Sequence, residues 1–162
     1  MRIRPLTPDD QVWKVGTLER GWGSTSVARL GELIDAAPLP GFVAQDDDRR
    51  VGLLTYAARD GGMEIVTIES LVEGLGIGTA LMDAARELAT AGGASRLWLV
   101  TTNDNIRAIG FYQQWGMDLV GVVRHGVTRS RLLKPSIPIV GQHGIPMRHE
   151  LEFELGLSPP PR

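Results

Sequence analysis

The spacing of apolar residues along the chain predicts short strands that alternate with amphipathic helices. Ile77, Leu81, Ala84 and Leu88 recur at helical spacing on one face of a segment that ends at Gly92. Residues 97–100 are apolar throughout, as expected of a buried central strand. The predicted strands are 2–6, 42–45, 51–58, 63–72, 97–100, 119–123 and 151–155, and the predicted helices are 8–18, 27–34, 77–91 and 104–115.

This order of elements places hairpin-connected strands first and βαβ units after them. It predicts an α/β or α+β fold built on a mixed sheet. Residues 125–148 contain three prolines, three glycines and four lysine or arginine residues, and we interpret them as a long loop. The length of 162 residues indicates a single domain over 1–157, followed by a frayed tail at 158–162.

Composition narrows the classes of function. The net charge of −2 gives no general attraction for nucleic acid or for an acidic membrane, and no apolar window resembles a membrane span or a signal peptide. The chain has no cysteine, which excludes disulfides, thiolate metal sites and a cysteine nucleophile, and which favours a cytoplasmic location. Its three histidines lack the spacing of metal ligands, so we expect no metal.

The stretch ESLVEGLGIGTALM, residues 69–82, joins a predicted strand to a predicted helix through three glycines, a pattern typical of phosphate binding. A nucleoside triphosphate site needs a lysine after the last glycine, and Thr79 stands there instead. A dinucleotide site needs a later third glycine and an acid after the next strand, and the chain has neither. A turn without ligand remains an alternative, although three glycines weaken folding. The pyrophosphate of coenzyme A, held by the amides of residues 75–79, fits best.

The same residues resemble the GNAT superfamily of N-acetyltransferases. The family's pyrophosphate motif is Gln/Arg-x-x-Gly-x-Gly/Ala, and here the stretch reads Glu73-Gly-Leu-Gly-Ile-Gly, which departs from the motif at Glu73. A second family pattern is similar to residues 105–117, Asn-Ile-Arg-Ala-Ile-Gly-Phe-Tyr-Gln-Gln-Trp-Gly-Met. Residues 133–138 and 144–146, Leu-Lys-Pro-Ser-Ile-Pro and Gly-Ile-Pro, resemble a subgroup of this family.

The resemblance implies a fold and an activity. The expected fold has a mixed, mostly antiparallel sheet of about seven strands flanked by about four helices. The expected activity is the transfer of an acetyl group from acetyl-CoA to a primary amine of a small molecule or peptide, by direct attack in a ternary complex. The alternative is a module of the same fold that binds acyl-CoA without catalysis, as a sensor or interaction protein. A homodimer that pairs through the strand at 151–155 is a further expectation.

The resemblance also implies roles for individual residues. Tyr112 matches the acid that protonates the leaving thiolate, although packing of its ring is the alternative role. Glu64 and Glu69 are candidate bases for the amine, and the resemblance favours Glu64, because some family members place a glutamate base at the start of this strand. Five residues apart, they face opposite sides of a strand unless a bulge intervenes, and a chain of water molecules is the alternative base. Trp22, with Glu69, is a candidate for the substrate pocket. The residues expected to bind coenzyme A are Ser70, Leu71, Val72, Glu73, Gly74, Leu75, Gly76, Ile77, Gly78, Thr79, Asn105, Ala108 and Phe111, with backbone amides near 70–72 polarising the thioester.

Overall fold

The computed structural model describes residues 1–157, so the predicted tail at 158–162 lies outside the described residues. The described part contains nine strands, four α-helices and two short 3-10 helices. The strands are Arg2–Pro5 (β1), Ser26–Arg29 (β2), Glu32–Asp35 (β3), Gly41–Asp46 (β4), Arg49–Arg59 (β5), Gly62–Ser70 (β6), Arg96–Thr102 (β7), Asp118–Val123 (β8) and Glu150–Gly156 (β9). The helices are Gln11–Trp22 (α1), Ile77–Ala91 (α2), Ile106–Trp115 (α3) and Gly126–Leu133 (α4), with 3-10 helices at Pro8–Asp10 and Gln142–Gly144.

Seven of the strands form one mixed, mostly antiparallel sheet in the order β1-β4-β5-β6-β7-β9-β8, and β2 and β3 form a separate pair. This architecture, with four α-helices, confirms the predicted fold class. The chain divides into two compact units. Among the described residues, the first contains Met1–Thr25, Asp35–Leu97, Gly156 and Leu157, and the second contains Ser26–Ile34 and Trp98–Leu155. The single domain expected over 1–157 stays a prediction.

In the first unit, helix α2 packs on the hairpins formed by β4, β5 and β6. Its buried face differs from the predicted one, because Leu88 is 38% exposed whereas the neighbouring Ala89 is buried. The predicted buried face included the large residue Leu88. In the structure, small alanines face the sheet at this end of the helix, and they allow the helix to approach the sheet closely. The residues of α2 that are buried are Ile77, Leu81, Met82, Ala85 and Ala89.

A buried carboxylate joins three segments of the first unit. Asp10 is 1% exposed, and it accepts bonds from Arg4 Nη1 (2.8 Å), Arg50 Nε (2.8 Å) and the amide of Thr7 (2.9 Å). The Arg4 guanidinium, followed by the Thr7 amide and Arg50, holds the pKa of Asp10 well below its usual range against the opposing effect of burial. The strand β1, the start of α1 and the strand β5 are therefore fixed to one another by one side chain.

In the second unit, the helix predicted at 27–34 is wrong. The segment forms the hairpin β2–β3, whose turn residues Leu30 and Gly31 have φ values of 50° and 74°. Two consecutive positive φ values are typical of a type I′ turn, which matches the twist of paired strands. The carboxylate of Glu150, itself buried, accepts the Leu30 amide at 3.0 Å and so holds the tip of the hairpin.

The long loop predicted at 125–148 is only partly a loop, because it contains α4 and a 3-10 helix. Arg131 donates bonds to the carbonyls of Ile137 (3.0 Å), Pro138 (2.8 Å) and Met147 (2.9 Å). Lys134 donates to the carbonyl of Ser26 at 2.7 Å. Basic side chains that bind backbone carbonyls therefore order a segment in which the prolines remove backbone donors.

The strand predicted to pair two copies is not at the edge of the sheet. Strand β9 lies between β7 and β8, and its pairing with β8 includes Leu151 opposite Val122. Both of its edges are therefore used within the chain, and the second unit presents β8 as its edge strand.

Candidate active site

The glycine turn before α2 is an exposed loop held in a left-handed conformation. Gly74 and Gly76 have φ values of 79° and 66°, and Gly76 is the N-cap of the helix. A Cβ placed on either glycine would meet no atom within 4 Å, so open space lies against this backbone. The first amides of a helix have no intrahelical acceptor, and they carry the positive end of its dipole. The turn therefore fits an anionic group such as a diphosphate. Leu75 lies in the same loop and is half exposed.

The end of strand β6 and the residues after it lead into this turn. The amide of Leu71 donates to the carbonyl of Val51 at 2.9 Å, and the Ser70 hydroxyl donates to the carbonyl of Val72 at 3.1 Å. The Leu71 amide is thus already used by the sheet. Glu73, the residue that departs from the family motif, is exposed.

The irregularity of β6 lies earlier in the strand. Thr67 pairs with Thr55 and Ile65 pairs with Tyr56, so that Val66 is an extra residue without a partner in β5. Such a bulge reverses the alternation of side chains along the strand. Glu64 and Glu69, five residues apart, pair with residues four apart in β5 and therefore lie on the same face of the sheet.

The two carboxylates differ in their exposure to solvent. Glu64 is 1% exposed, whereas Glu69 is half-buried. On the face that they share, the hydroxyls of Thr55 and Thr67 bond to each other at 2.6 Å. A dissolved amine therefore has access only to Glu69 among the two candidate bases.

Glu69 lies against the end of helix α1. A Cβ placed on Gly21 would overlap its Oε1, so that only glycine allows this approach. The side chain of Trp22 hydrogen-bonds to Glu69, and the indole N–H is the only donor that it has. Burial raises the pKa of Glu69, and the bond from Trp22 and the charge of Arg20 oppose that rise. The structure thus brings together Trp22 and Glu69, which the sequence proposed for one pocket, and places Gly21 against the Glu69 carboxylate.

Helix α3 of the second unit carries the other predicted residues. Asn105 is its N-cap and donates from Nδ2 to Thr101 Oγ1 at 3.2 Å, and Ala108 and Phe111 follow at intermediate exposure. Tyr112 is 6% exposed, with its ring centroid 5.5 Å from those of Phe111 and Phe153. Burial raises the pKa of Tyr112 to about 12, so its hydroxyl is protonated at neutral pH.

The segment between β7 and α3 has a structural role that its sequence did not indicate. Asn103 Oδ1 accepts the amides of Arg148 and His149, each at 2.9 Å. Asp104 Oδ2 accepts the amide of Gln142 at 2.9 Å. The bonds of Asn103 and Asp104 reach residues about forty positions away, which the local sequence does not indicate.

Within residues 1–157, no three or more His, Cys, Asp and Glu side chains are grouped so that they would hold a metal ion. No helix in the same range is long and apolar enough to span a membrane.

Comparison with known proteins identifies the family of the chain. A model of the Acetyltransferase (GNAT) family matches residues 11–117. The chain belongs to this family. Two proteins of Bacillus subtilis (strain 168) are similar in sequence to this GNAT protein. Uncharacterized protein YxbD is 36% identical over 134 residues, which is 82% of this chain and 84% of its own, and uncharacterized protein YdhI is 37% identical over 133 residues, which is 82% and 83%.

Solved structures of acetyltransferases share the fold. An IAA acetyltransferase from Bacillus cereus has a TM-score of 0.70 at 20% identity, over 96% of this chain and 99% of its own. A Bacillus subtilis acetyltransferase in complex with CoA has a TM-score of 0.69 at 18% identity, over 97% and 99%. At these identities the similarity shows the fold of the GNAT protein, and its chemistry rests on its own residues.

Proposed function

We propose that this GNAT protein is an acetyl-CoA-dependent N-acetyltransferase that moves the acetyl group to a primary amine of a small molecule or peptide by direct attack in a ternary complex. The observation that supports this most is the Glu69 carboxylate, which is half-buried, hydrogen-bonded by Trp22 and raised in pKa by burial. A carboxylate tuned in this way is suited to take a proton from an ammonium group near neutral pH.

The binding residues follow from the glycine turn. The open backbone at Gly74 and Gly76 and the first amides of α2 fit the pyrophosphate of coenzyme A, because a Cβ at either glycine would occupy the space from which a phosphate approaches. Asn105, Ala108 and Phe111 are the residues of α3 that we assign to the extended arm. Acetyl-CoA supplies the thioester, whose C–S bond breaks as the C–N bond to the amine forms.

Glu69 is the base in this scheme. An alkyl ammonium has a pKa of about 10 and carries its proton at neutral pH, so it must lose that proton before it attacks. Glu69 accepts the proton, and Trp22 orients the carboxylate through its indole N–H. Glu64 is too deeply buried to meet the amine directly.

Tyr112 acts on the leaving group, because the sulfur of coenzyme A becomes negatively charged as the C–S bond breaks. Its pKa of about 12 keeps the hydroxyl protonated, but full transfer to a thiolate with a pKa of about 8.5 would cost about 5 kcal/mol. We therefore assign to Tyr112 a hydrogen bond to the developing thiolate, which stabilises its charge, and the proton reaches the thiol finally from solvent.

The decisive experiment is an acceptor screen that follows the release of free coenzyme A thiol from acetyl-CoA. Because the chain has no cysteine, the protein itself adds no thiol to the signal. We expect release above the protein-free background with at least one class of amine, and loss of that release in Glu69→Gln. If acetyl-CoA binds while no amine accelerates thiol release, the protein is a binding module without catalysis.

We further propose that residues 133–146 mark a subgroup of the family. Lys134, Ile137 and Pro138 each take part in the bonds that order this segment, and Gly144 has a φ value of 69°. The residues quoted for the subgroup are thus those that shape the backbone here. Replacing Gly144 by Ala is expected to lower thermal stability, since a positive φ disfavours any side chain with a Cβ.

A further inference from the structure

Four basic side chains lie together in the second unit, and the proposed reaction uses none of them. They are Arg124 and His125, between β8 and α4, and Arg148 and His149, before β9; we call them the Arg–His cluster. The imidazole rings of His125 and His149 pack edge to face with centroids 5.1 Å apart. Partial burial, and then the charges of His125, Arg148 and Arg124, lower the pKa of His149, which shows that all four groups lie within electrostatic range.

The backbone fixes the positions of these groups. Nδ1 of His149 accepts the amide of His125 at 2.9 Å, which leaves the ring proton of neutral His149 on Nε2 as a donor. Asn103 binds the amides of Arg148 and His149, and the carbonyl of Arg148 accepts the amide of Val127 at 2.9 Å. His125 itself has a φ value of 58°, an unfavourable conformation for a residue with a Cβ. Like charges are therefore held together by contacts that do not neutralise them.

The cluster lacks a counter-charge. Among residues 1–157, neither the Arg124 nor the Arg148 guanidinium makes a hydrogen bond or an ion pair. The neighbouring carboxylate of Glu150 is buried and accepts the amide of Leu30. In a chain whose net charge is −2, this concentration of exposed positive charge is local.

We propose that the Arg–His cluster is a binding site for a phosphate group. Two guanidinium groups, each with a planar fork of donors, and the Nε2–H of His149 together match an anion with three oxygens and nearly two charges. A carboxylate has one charge and two oxygens, and it meets fewer of these donors. The phosphate is either a free anion or a substituent of a larger ligand, such as the 3′-phosphate of coenzyme A. The site does not depend on the proposed acetyl transfer.

Histidine NMR provides a direct test. Sodium phosphate is titrated into the full chain at constant pH and ionic strength, with sodium chloride as the replaced salt, while the imidazole C–H signals are followed. The protein has three histidines, so His143, which lies outside the cluster, is an internal control. We expect saturable shifts of His125 and His149 and no shift of His143.

Charge-matched variants test the contribution of the arginines. Arg124→Gln with Arg148→Gln is expected to weaken phosphate binding by roughly tenfold or more. Arg2→Gln with Arg49→Gln changes the net charge equally, at exposed positions of the first unit, and is expected to leave the affinity unchanged. Amide spectra of both variants report whether the fold is kept.

Three results would overturn the proposal: shifts that do not saturate, equal loss of affinity in both double variants, or an equal affinity for acetate at the same ionic strength. The source of the phosphate is then read from the affinities for coenzyme A and 3′-dephospho-coenzyme A. A preference for coenzyme A that disappears in Arg124→Gln with Arg148→Gln assigns the site to the 3′-phosphate. An unchanged preference, with inorganic phosphate still bound by the wild type, assigns it to a separate ligand.

Discussion

The Cα of Gly21 lies so close to the Glu69 carboxylate that a Cβ at this position would overlap Oε1. Gly21→Ala is therefore expected to displace the carboxylate, with little change in the free energy of unfolding because the end of the Glu69 side chain can move. It is also expected to lower kcat for acetyl transfer, because the base moves away from its donor, Trp22. Urea denaturation and steady-state kinetics measure the two effects.

Gly110→Ala is the matched control for Gly21→Ala. Gly110 is also inside a helix, and a Cβ there would meet nothing within 4 Å. Alanine at such a position is expected to stabilise the protein by up to about 1 kcal/mol. Equal behaviour of the two alanine variants would contradict the close approach at Gly21.

Removal of the indole donor is expected to shift the pH dependence of the reaction. A hydrogen bond to the ionised form lowers a carboxyl pKa, so Trp22→Phe raises the pKa of Glu69 further above that of an ordinary glutamate. The acidic limb of kcat/KM then moves to higher pH. A pH–rate profile that stays in place would show that Glu69 is not the base or that Trp22 does not tune it.

Substitution of the two glycines with positive φ in the turn before α2 is expected to affect ligand binding more than folding. Gly74→Ala and Gly76→Ala are each expected to lower the free energy of unfolding by about 1 kcal/mol, because alanine disfavours a positive φ. Each is also expected to weaken acetyl-CoA binding at least about tenfold, because the new Cβ enters the space open to phosphate. Isothermal titration calorimetry measures the affinity. Gly93→Ala, with a φ value of 73° and equally open surroundings, carries the same conformational cost and is expected to bind acetyl-CoA normally.

Tyr112→Phe is expected to lower kcat by about 10²-fold or more while KM for acetyl-CoA changes little, since only the hydroxyl is lost from a buried ring. The pKa of about 12 also predicts that Tyr112 contributes no basic limb to the profile below about pH 11. Tyr56→Phe, at the other tyrosine of the chain, is the control and should retain activity. Full activity of Tyr112→Phe would assign this residue to packing alone.

Asp10→Asn is expected to destabilise the first unit by about 2–3 kcal/mol at neutral pH, because two arginines lose their charged partner. The folded pKa of Asp10 lies below its ordinary value of about 3.9, so its stabilisation is present above that pH and is lost as the pH falls below it. The difference in unfolding free energy between wild type and variant should therefore shrink in acid. Asp9→Asn, at the exposed neighbour, should change stability by less than about 0.5 kcal/mol.

The elements predicted well are those that local chemistry specifies. The glycines at 74 and 76 indicated a strand–helix junction, and α2 begins at Ile77 as expected. Residues 46–48 are three aspartates, a composition typical of a turn, and Asp47 has a φ value of 51° there. Such signals depend on the backbone conformation of one or two residues, which a single sequence contains.

The remaining features depend on partners that are distant in the chain. The bulge at Val66 brings Glu64 and Glu69 to one face, and it arises from pairing with β5, which no local pattern reveals. The sequence predicts a helix at 27–34, whereas the structure has a hairpin there with Gly31 in its turn, because the pairing of β2 with β3 decides the local conformation. The place of β9 inside the sheet likewise depends on tertiary pairing.

The bond between Leu30 and Glu150 has a consequence for biosynthesis. The two residues are separated by 120 positions, so the β2–β3 turn is complete on the ribosome long before its buried acceptor has been translated. Until then the Leu30 amide has only water as a partner. The hairpin therefore acquires its final anchor only after residue 150 has been translated, and a nascent chain truncated before that residue leaves the second unit unfinished.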